Sequence, residues 1–144
     1  MPHLVDNHIL IPEMAQLLKE GHRVLFIPSG VSMRPFIEGG RDSVTLEWVD
    51  ADSLRVGDIV LCQTGERYVL HRLIRITDDG LVLQGDGNIV GEEHCLCSDV
   101  LGRVVAICSP KGRRKPLTRG KIWHCLLPWR RYLLKIYRHT PRIL

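Results

Sequence analysis

Three short segments of this chain hold residues that together could perform acyl transfer. Ser32 lies in Ser29-Gly30-Val31-Ser32-Met33-Arg34-Pro35, a stretch bounded by glycine and proline that can turn sharply and present a hydroxyl beside backbone N–H groups. His71 lies in Tyr68-Val69-Leu70-His71-Arg72-Leu73-Ile74, and Asp86 in Leu83-Gln84-Gly85-Asp86-Gly87-Asn88. A hydroxyl is a poor nucleophile until a neighbouring base takes its proton. A neutral imidazole with a pKa of about 6.5 does this at neutral pH. A carboxylate on the second ring nitrogen fixes the tautomer and stabilises the imidazolium that forms. Ser32, His71 and Asp86 thus supply a nucleophile, a base and an orienter, and the backbone N–H groups of the Ser32 segment could polarise a scissile carbonyl as an oxyanion hole.

Each residue also has an ordinary structural use. A serine in such a segment is commonly a turn residue, a lone strand histidine a hydrogen-bonding side chain, and an aspartate among glycines an Asx-turn residue. One absence sharpens the choice of base. No lysine occurs between Lys19 and Lys111, so a Ser–Lys dyad within this stretch is excluded and His71 is the economical partner for Ser32. The orienting carboxylate stays open, because Glu92, Glu93 and Asp99 compete with Asp86. Met33 and Pro35, next to the nucleophile, are candidate substrate contacts.

The elements that must position these residues are mostly short strands. Apolar segments, alternating over 43–49 and around His71, and the turn signals between them predict strands over 23–27, 43–49, 58–62, 68–76, 81–84 and 100–108, with Asp78-Asp79-Gly80 as a hairpin turn. A short helix is predicted over 9–21, with Pro12 in its first turn, Met14, Leu17 and Leu18 at helical spacing and Gly21 at the C-cap. Near the other end, Pro128 suits a first helical turn, and Trp129, Tyr132, Leu133, Ile136 and Tyr137 recur at the spacing of one apolar face. Arg130, Arg131, Lys135 and Arg138 then fall on the opposite face. The expectation is a small, mainly β domain over 23–109, preceded by a helical segment (1–22) and followed by a basic tail with an amphipathic helix (110–144).

Composition sets outer bounds. At 144 residues, 44% hydrophobic and 25% charged, the chain fits one globular domain with its own core. No apolar run reaches the roughly 18 residues of a membrane span, and the first residues lack a basic region ahead of an apolar one, so neither a transmembrane helix nor a signal peptide is expected. The expected place is the cytoplasm or the inner face of its membrane. The net charge of +4 hides a split. Residues 1–100 hold all 16 acidic side chains against 8 Lys/Arg, a net of −8, whereas residues 101–144 hold 12 Lys/Arg and no acid. Such a tail either docks on the acidic body or meets an outside anion. Its apolar face favours packing on the domain itself or an anionic membrane surface, reached through residues 121–138, over nucleic acid. The five cysteines form no evident disulfide framework, and His94-Cys95-Leu96-Cys97 lacks a second ligand pair at structural-zinc spacing. Buried free thiols are expected, with no metal and no cofactor.

The ordered segments resemble the signal peptidase superfamily, which includes the repressor autoproteases of the bacterial DNA-damage response. Ser32-Met33-Arg34-Pro35 is similar to that family's Ser-Met-x-Pro box, and Val56-Gly57-Asp58-Ile59-Val60 to its Gly-Asp-hydrophobic strand. His71-Arg72 stands where many bacterial members have Lys-Arg, with His as in the archaeal and endoplasmic-reticulum branch. Gly85-Asp86-Gly87-Asn88 is similar to the Gly-Asp-x-Asn box, and Val100-Leu101-Gly102-Arg103-Val104 to the closing strand. The resemblance covers roughly residues 25–107. It implies a small β fold of antiparallel strands and a serine endopeptidase acting through an acyl-enzyme, with Ser32 as nucleophile, His71 as general base, and Gly30 with the Ser32 backbone N–H as the oxyanion region. It also implicates an acid shortly after the Gly-Asp-x-Asn box, and Glu92 stands nearest to that position. The missing membrane anchor and missing insertions point to a dedicated peptide or preprotein substrate rather than general preprotein processing. A non-catalytic binding or regulatory module of the same fold, with a membrane- or nucleic-acid-binding tail, is the alternative expectation.

Overall fold

Period-two apolar alternation, cut by turns rich in glycine and aspartate, folds the chain into a mainly β protein around one nine-stranded sheet. The computed structural model describes residues 3–5 and 11–139. In chain order the strands are β1 (His3–Val5), β2 (Val24–Phe26), β3 (Ser43–Glu47), β4 (Ile59–Thr64), β5 (Arg67–Thr77), β6 (Gly80–Gln84), β7 (Glu93–Cys95), β8 (Val100–Cys108) and β9 (Arg114–Lys115). The helices are α1 (Ile11–Lys19), α2 (Lys121–Cys125) and α3 (Arg130–His139), with a 3-10 turn over Leu127–Trp129. The sheet runs β1-β2-β3-β8-β4-β5-β6-β7, with β9 also on β8. Only β1 and β2 pair in parallel among the described strands.

The six expected strands all form, within two residues of their expected ends. β7 and the two short edge strands were not foreseen. Three residues or fewer leave too little alternation to read, and pairing alone defines them. Residues 9–10 of the expected N-terminal helix lie outside the described residues. The helix ends at Lys19, where Gly21 N–H bonds Leu18 O and His22 N–H bonds Leu17 O.

Both faces of the central hairpin are covered. Leu61 and Leu70, paired across β4 and β5, enter a core with Met14 and Leu18 of α1, Phe26, Leu46, Val104 and Ile107. Val60, Cys62 and Val69 point the other way, into a second cluster with Leu73, Leu83, Cys95 and Val100. Covering both faces explains why β4 reads as a continuous apolar run, Ile59–Cys62, rather than an alternating one.

The C-terminal region corrects one expectation. Arg130 was placed on a solvent face with Arg131, Lys135 and Arg138, but it is 2% exposed and among the largest fully buried side chains. The helix is rolled so that Arg130, Leu133, Leu134 and Tyr137 turn toward the body. Trp129, Tyr132 and Ile136 turn outward, so the expected apolar stripe is divided between the body and the outside. The cause is local: the Arg130 guanidinium donates to Asn88 O at 2.8 Å and stacks 5.3 Å over the Trp123 ring. The basic tail also docks by charge, through Lys115 with Asp42 and Arg119 with Asp58 at 2.7 Å. All five cysteines are free, but only Cys62 and Cys95 are buried, whereas Cys97 and Cys125 are exposed. Among the described residues no helix is long and apolar enough to cross a membrane.

Candidate active site

Ser32 sits in a tight turn between β2 and β3. Phe36 N–H and Ile37 N–H both donate to Met33 O at 3.0 Å, which closes the turn behind the serine. The turn is tied down by a forked Arg34–Glu38 pair, by Glu38 N–H on Asp42, and by the Tyr137 hydroxyl donating to Glu38 at 3.2 Å. On its other side it rests on the Gly85–Asn88 turn, where Gly87 N–H donates to Ser32 O at 2.7 Å. That close approach explains both glycines. A Cβ on Gly85 would lie 2.4 Å from Ser32 O and 3.1 Å from His71 Nε2, and one on Gly87 would lie 2.4 Å from Val31 O. The Gly-Asp-Gly-Asn box is therefore a backbone platform for the serine.

His71 reaches this serine from β5, 39 residues away in the chain. Its Nε2 lies 3.2 Å from Ser32 Oγ. The two side chains line a cleft of about 310 Å³ with Gly30, Tyr68, Asn88 and Glu93 among its other walls. Burial lowers the His71 pKa from its ordinary value, while the Glu93 and Asp86 charges pull it up and Arg67 pulls it down. A base kept neutral near physiological pH, in contact with a hydroxyl, is equipped to accept the proton of that hydroxyl.

The orienting carboxylate is where the structure departs from expectation. Asp86 does not reach His71. It is buried in a forked pair with Arg72, at 2.7 to 3.1 Å, and Arg72 further donates to Gly57 O and Thr118 O. Glu92 faces outward to Arg75 at 3.3 Å and His94 at 4.0 Å, and Asp99 accepts from Leu96 N–H at 2.8 Å. The carboxylate facing His71 Nδ1 is Glu93, at 3.7 Å. That distance is ion-pair range and too long for a hydrogen bond, and Nδ1 has no hydrogen-bond partner among the described residues. Glu93 is half-buried and also lies 4.0 Å from Arg67.

Register explains this sorting. Glu93 pairs with Leu83 and Leu83 with Leu73, so Glu93 shares a sheet face with Leu73 and hence with His71, two residues earlier. Glu92, one residue before, falls on the opposite face. Asp86 is two residues beyond Gln84, which pairs with Arg72, and so belongs to the face of Arg72.

Of the candidate substrate contacts, Met33 is buried in the core and lines the floor of the cleft, whereas Pro35 is half-buried and lies outside the cleft lining. Gly30 lines the cleft beside Ser32. Sequence reasoning missed a second layer around the platform: Trp123 Nε1 donates to Asp86 O at 2.7 Å, Arg130 donates to Asn88 O, and Phe36 meets Trp123 edge-on at 6.1 Å. No motif signals such contacts, although Trp123, off the apolar stripe of the C-terminal helix, was the feature to question. A scan against models of known protein families finds no match, and a search of curated proteins finds none. The chemistry of the site therefore rests on its geometry.

Proposed function

We propose that this protein is a serine endopeptidase that cleaves a peptide or preprotein through an acyl-enzyme. The observation that carries the reading is the 3.2 Å contact between Ser32 Oγ and His71 Nε2 inside an open cleft. In the forward step Ser32 donates its proton to Nε2 as Oγ attacks the scissile carbonyl, and His71 then returns that proton to the leaving amine. Water, deprotonated by the same imidazole, releases the acyl group. Glu93 supports the imidazolium from the Nδ1 side, closing from 3.7 Å as charge develops. The Ser32 backbone N–H, with a second donor near Gly30, is the candidate oxyanion hole.

The topology also suits an extended substrate. Arg67–His71 pair with β4 on one side, and β6 begins to pair only at Arg72, which leaves one edge of this stretch open to the cleft. A peptide laid between that edge and Pro28–Gly30 gains backbone hydrogen bonds as an added strand. The resemblance of the ordered boxes to signal peptidases supports the same reading. The unfilled Nδ1 of His71 is the one observation that favours the alternative, a binding or regulatory module of the same fold.

The test is labelling of the full chain with a fluorophosphonate, read by intact mass. The wild type takes one phosphonyl group, while Ser32→Ala takes none and unfolds at the same temperature. A wild type that stays unlabelled while folded removes the protease reading and favours the binding module.

A further inference from the structure

The outward side of α3 has no role in the site, yet its chemistry is sharply sorted. At about 100° per residue the exposed half of the helix divides into two sectors. One holds Arg138, Arg131 and Lys135, all exposed. The other holds Tyr132 and Ile136, 60% and 64% exposed, and is continued by Trp129 at the end of the preceding 3-10 turn, 62% exposed. α2, just before it, adds Ile122 at 79% exposure beside an apolar groove of about 540 Å³ rimmed by Arg119 and Lys121. These large apolar groups face water although the same helix has a face to bury. On the inner side, Arg130 grips Asn88 O and Tyr137 bonds Glu38, so the helix is held on the body with this face outward.

We propose that this face docks the protein on an anionic lipid surface. Charge picks the occupant: no acidic residue follows Asp99, so nothing in the last 45 residues offsets the cationic sector from within. Aromatic rings at headgroup depth, an aliphatic residue below them and cations beside phosphate form the pattern of an interfacial helix. A nucleic acid would use the cations and stack on the aromatics but has no use for Ile136 and Ile122. The docking is independent of the peptidase reading, because none of these side chains touches the cleft.

The test is flotation of the full chain with phosphatidylcholine vesicles, with and without phosphatidylserine. Beside it run binding to a single-stranded oligonucleotide and sedimentation velocity. The expected result is flotation only with phosphatidylserine, weakened by raised salt. Arg131→Ala, Lys135→Ala and Arg138→Ala together lower partitioning about 100-fold, at roughly fivefold per cation. Trp129→Ala with Ile136→Ala also abolishes flotation, while fluorophosphonate labelling and thermal unfolding stay unchanged in both variants. No flotation on anionic vesicles overturns the proposal, as does tighter binding to the oligonucleotide or a stable dimer that hides Trp129. Loss of flotation with labelling intact, or the reverse, separates this proposal from the peptidase reading.

Discussion

His71 and Arg72 are neighbours in β5, and strand geometry sends them to opposite faces with opposite treatment. Arg72 is saturated: its guanidinium forks onto Asp86 and donates to two backbone carbonyls, and it lies 5.2 Å over the Phe36 ring. His71 is left under-satisfied, with one contact to Ser32 and a buried Nδ1 that only faces a carboxylate. Both side chains are buried, so solvent exposure does not account for the difference. Under the proposed function, His71 would move the Ser32 proton while Arg72 holds the platform through Asp86, so adjacent residues would divide chemistry from support.

The largest effects should separate the two by kind. His71→Ala is expected to slow fluorophosphonate labelling by roughly 10² to 10⁴-fold, the usual contribution of a general base, while leaving the fold intact. Arg72→Ala strands the buried Asp86 carboxylate and is expected to cost about 3–5 kcal/mol, roughly 10–17 °C in melting temperature for a chain of this size. Labelling rates and thermal unfolding of both variants settle it. The comparison breaks if Arg72→Ala stays fully stable, or if His71→Ala unfolds as readily as Arg72→Ala.

Next in size is the carboxylate. Glu93→Gln is expected to slow labelling roughly tenfold, less than loss of the base, because it removes support for the imidazolium and not the proton acceptor. It also removes a charge that pulls the His71 pKa up, so the acid limb of the rate moves to lower pH. Glu92→Gln should change neither quantity, since its partners are Arg75 and His94 on the other face. Equal effects of the two substitutions would show that Glu93 does not act on His71.

Much of this division was legible in the chain. Alternation gave the strands, and the spacing of Ser32 and His71 with the absence of lysine gave the pair that meets. The carboxylate was not legible, for one geometric reason. The β5–β6 hairpin pairs Thr77 with Gly80 and Arg75 with Val82, but then Leu73 with Leu83, so one residue at Ile74 is extra. Carried on without that bulge, the register would set Asp86 opposite His71. With it, Asp86 moves to the face of Arg72. A single unpaired residue decides which acid serves which neighbour, and nothing in the composition of the strand marks it. Arg130 illustrates the other limit. A helical wheel ranks it as a solvent-facing cation, and tertiary partners make its burial tolerable: the Asn88 carbonyl, the Gln84 amide oxygen, the Trp123 ring and the nearby Asp86 charge.

The smallest expected effect tests the electrostatics of the cleft alone. Burial holds the His71 pKa below its ordinary value of about 6.5, with Arg67 adding to the depression. Only the neutral imidazole accepts the Ser32 proton, so the labelling rate should rise with pH through this lowered pKa and level off at lower pH than an unperturbed histidine would allow. Arg67→Ala removes a repelling cation, so the pKa should rise and the acid limb move to higher pH, opposite to the shift from Glu93→Gln. Stability follows the same sign. Below about pH 6.5 the unfolded chain takes up a proton at His71 that the folded protein refuses, so stability is lost as pH falls through the folded value. In Arg67→Ala the folded protein accepts that proton sooner, so this part of the acid loss should shrink. If Arg67→Ala and Glu93→Gln shift the limb in the same direction, their charges are not felt at His71, and the under-satisfied imidazole owes its pKa to burial alone.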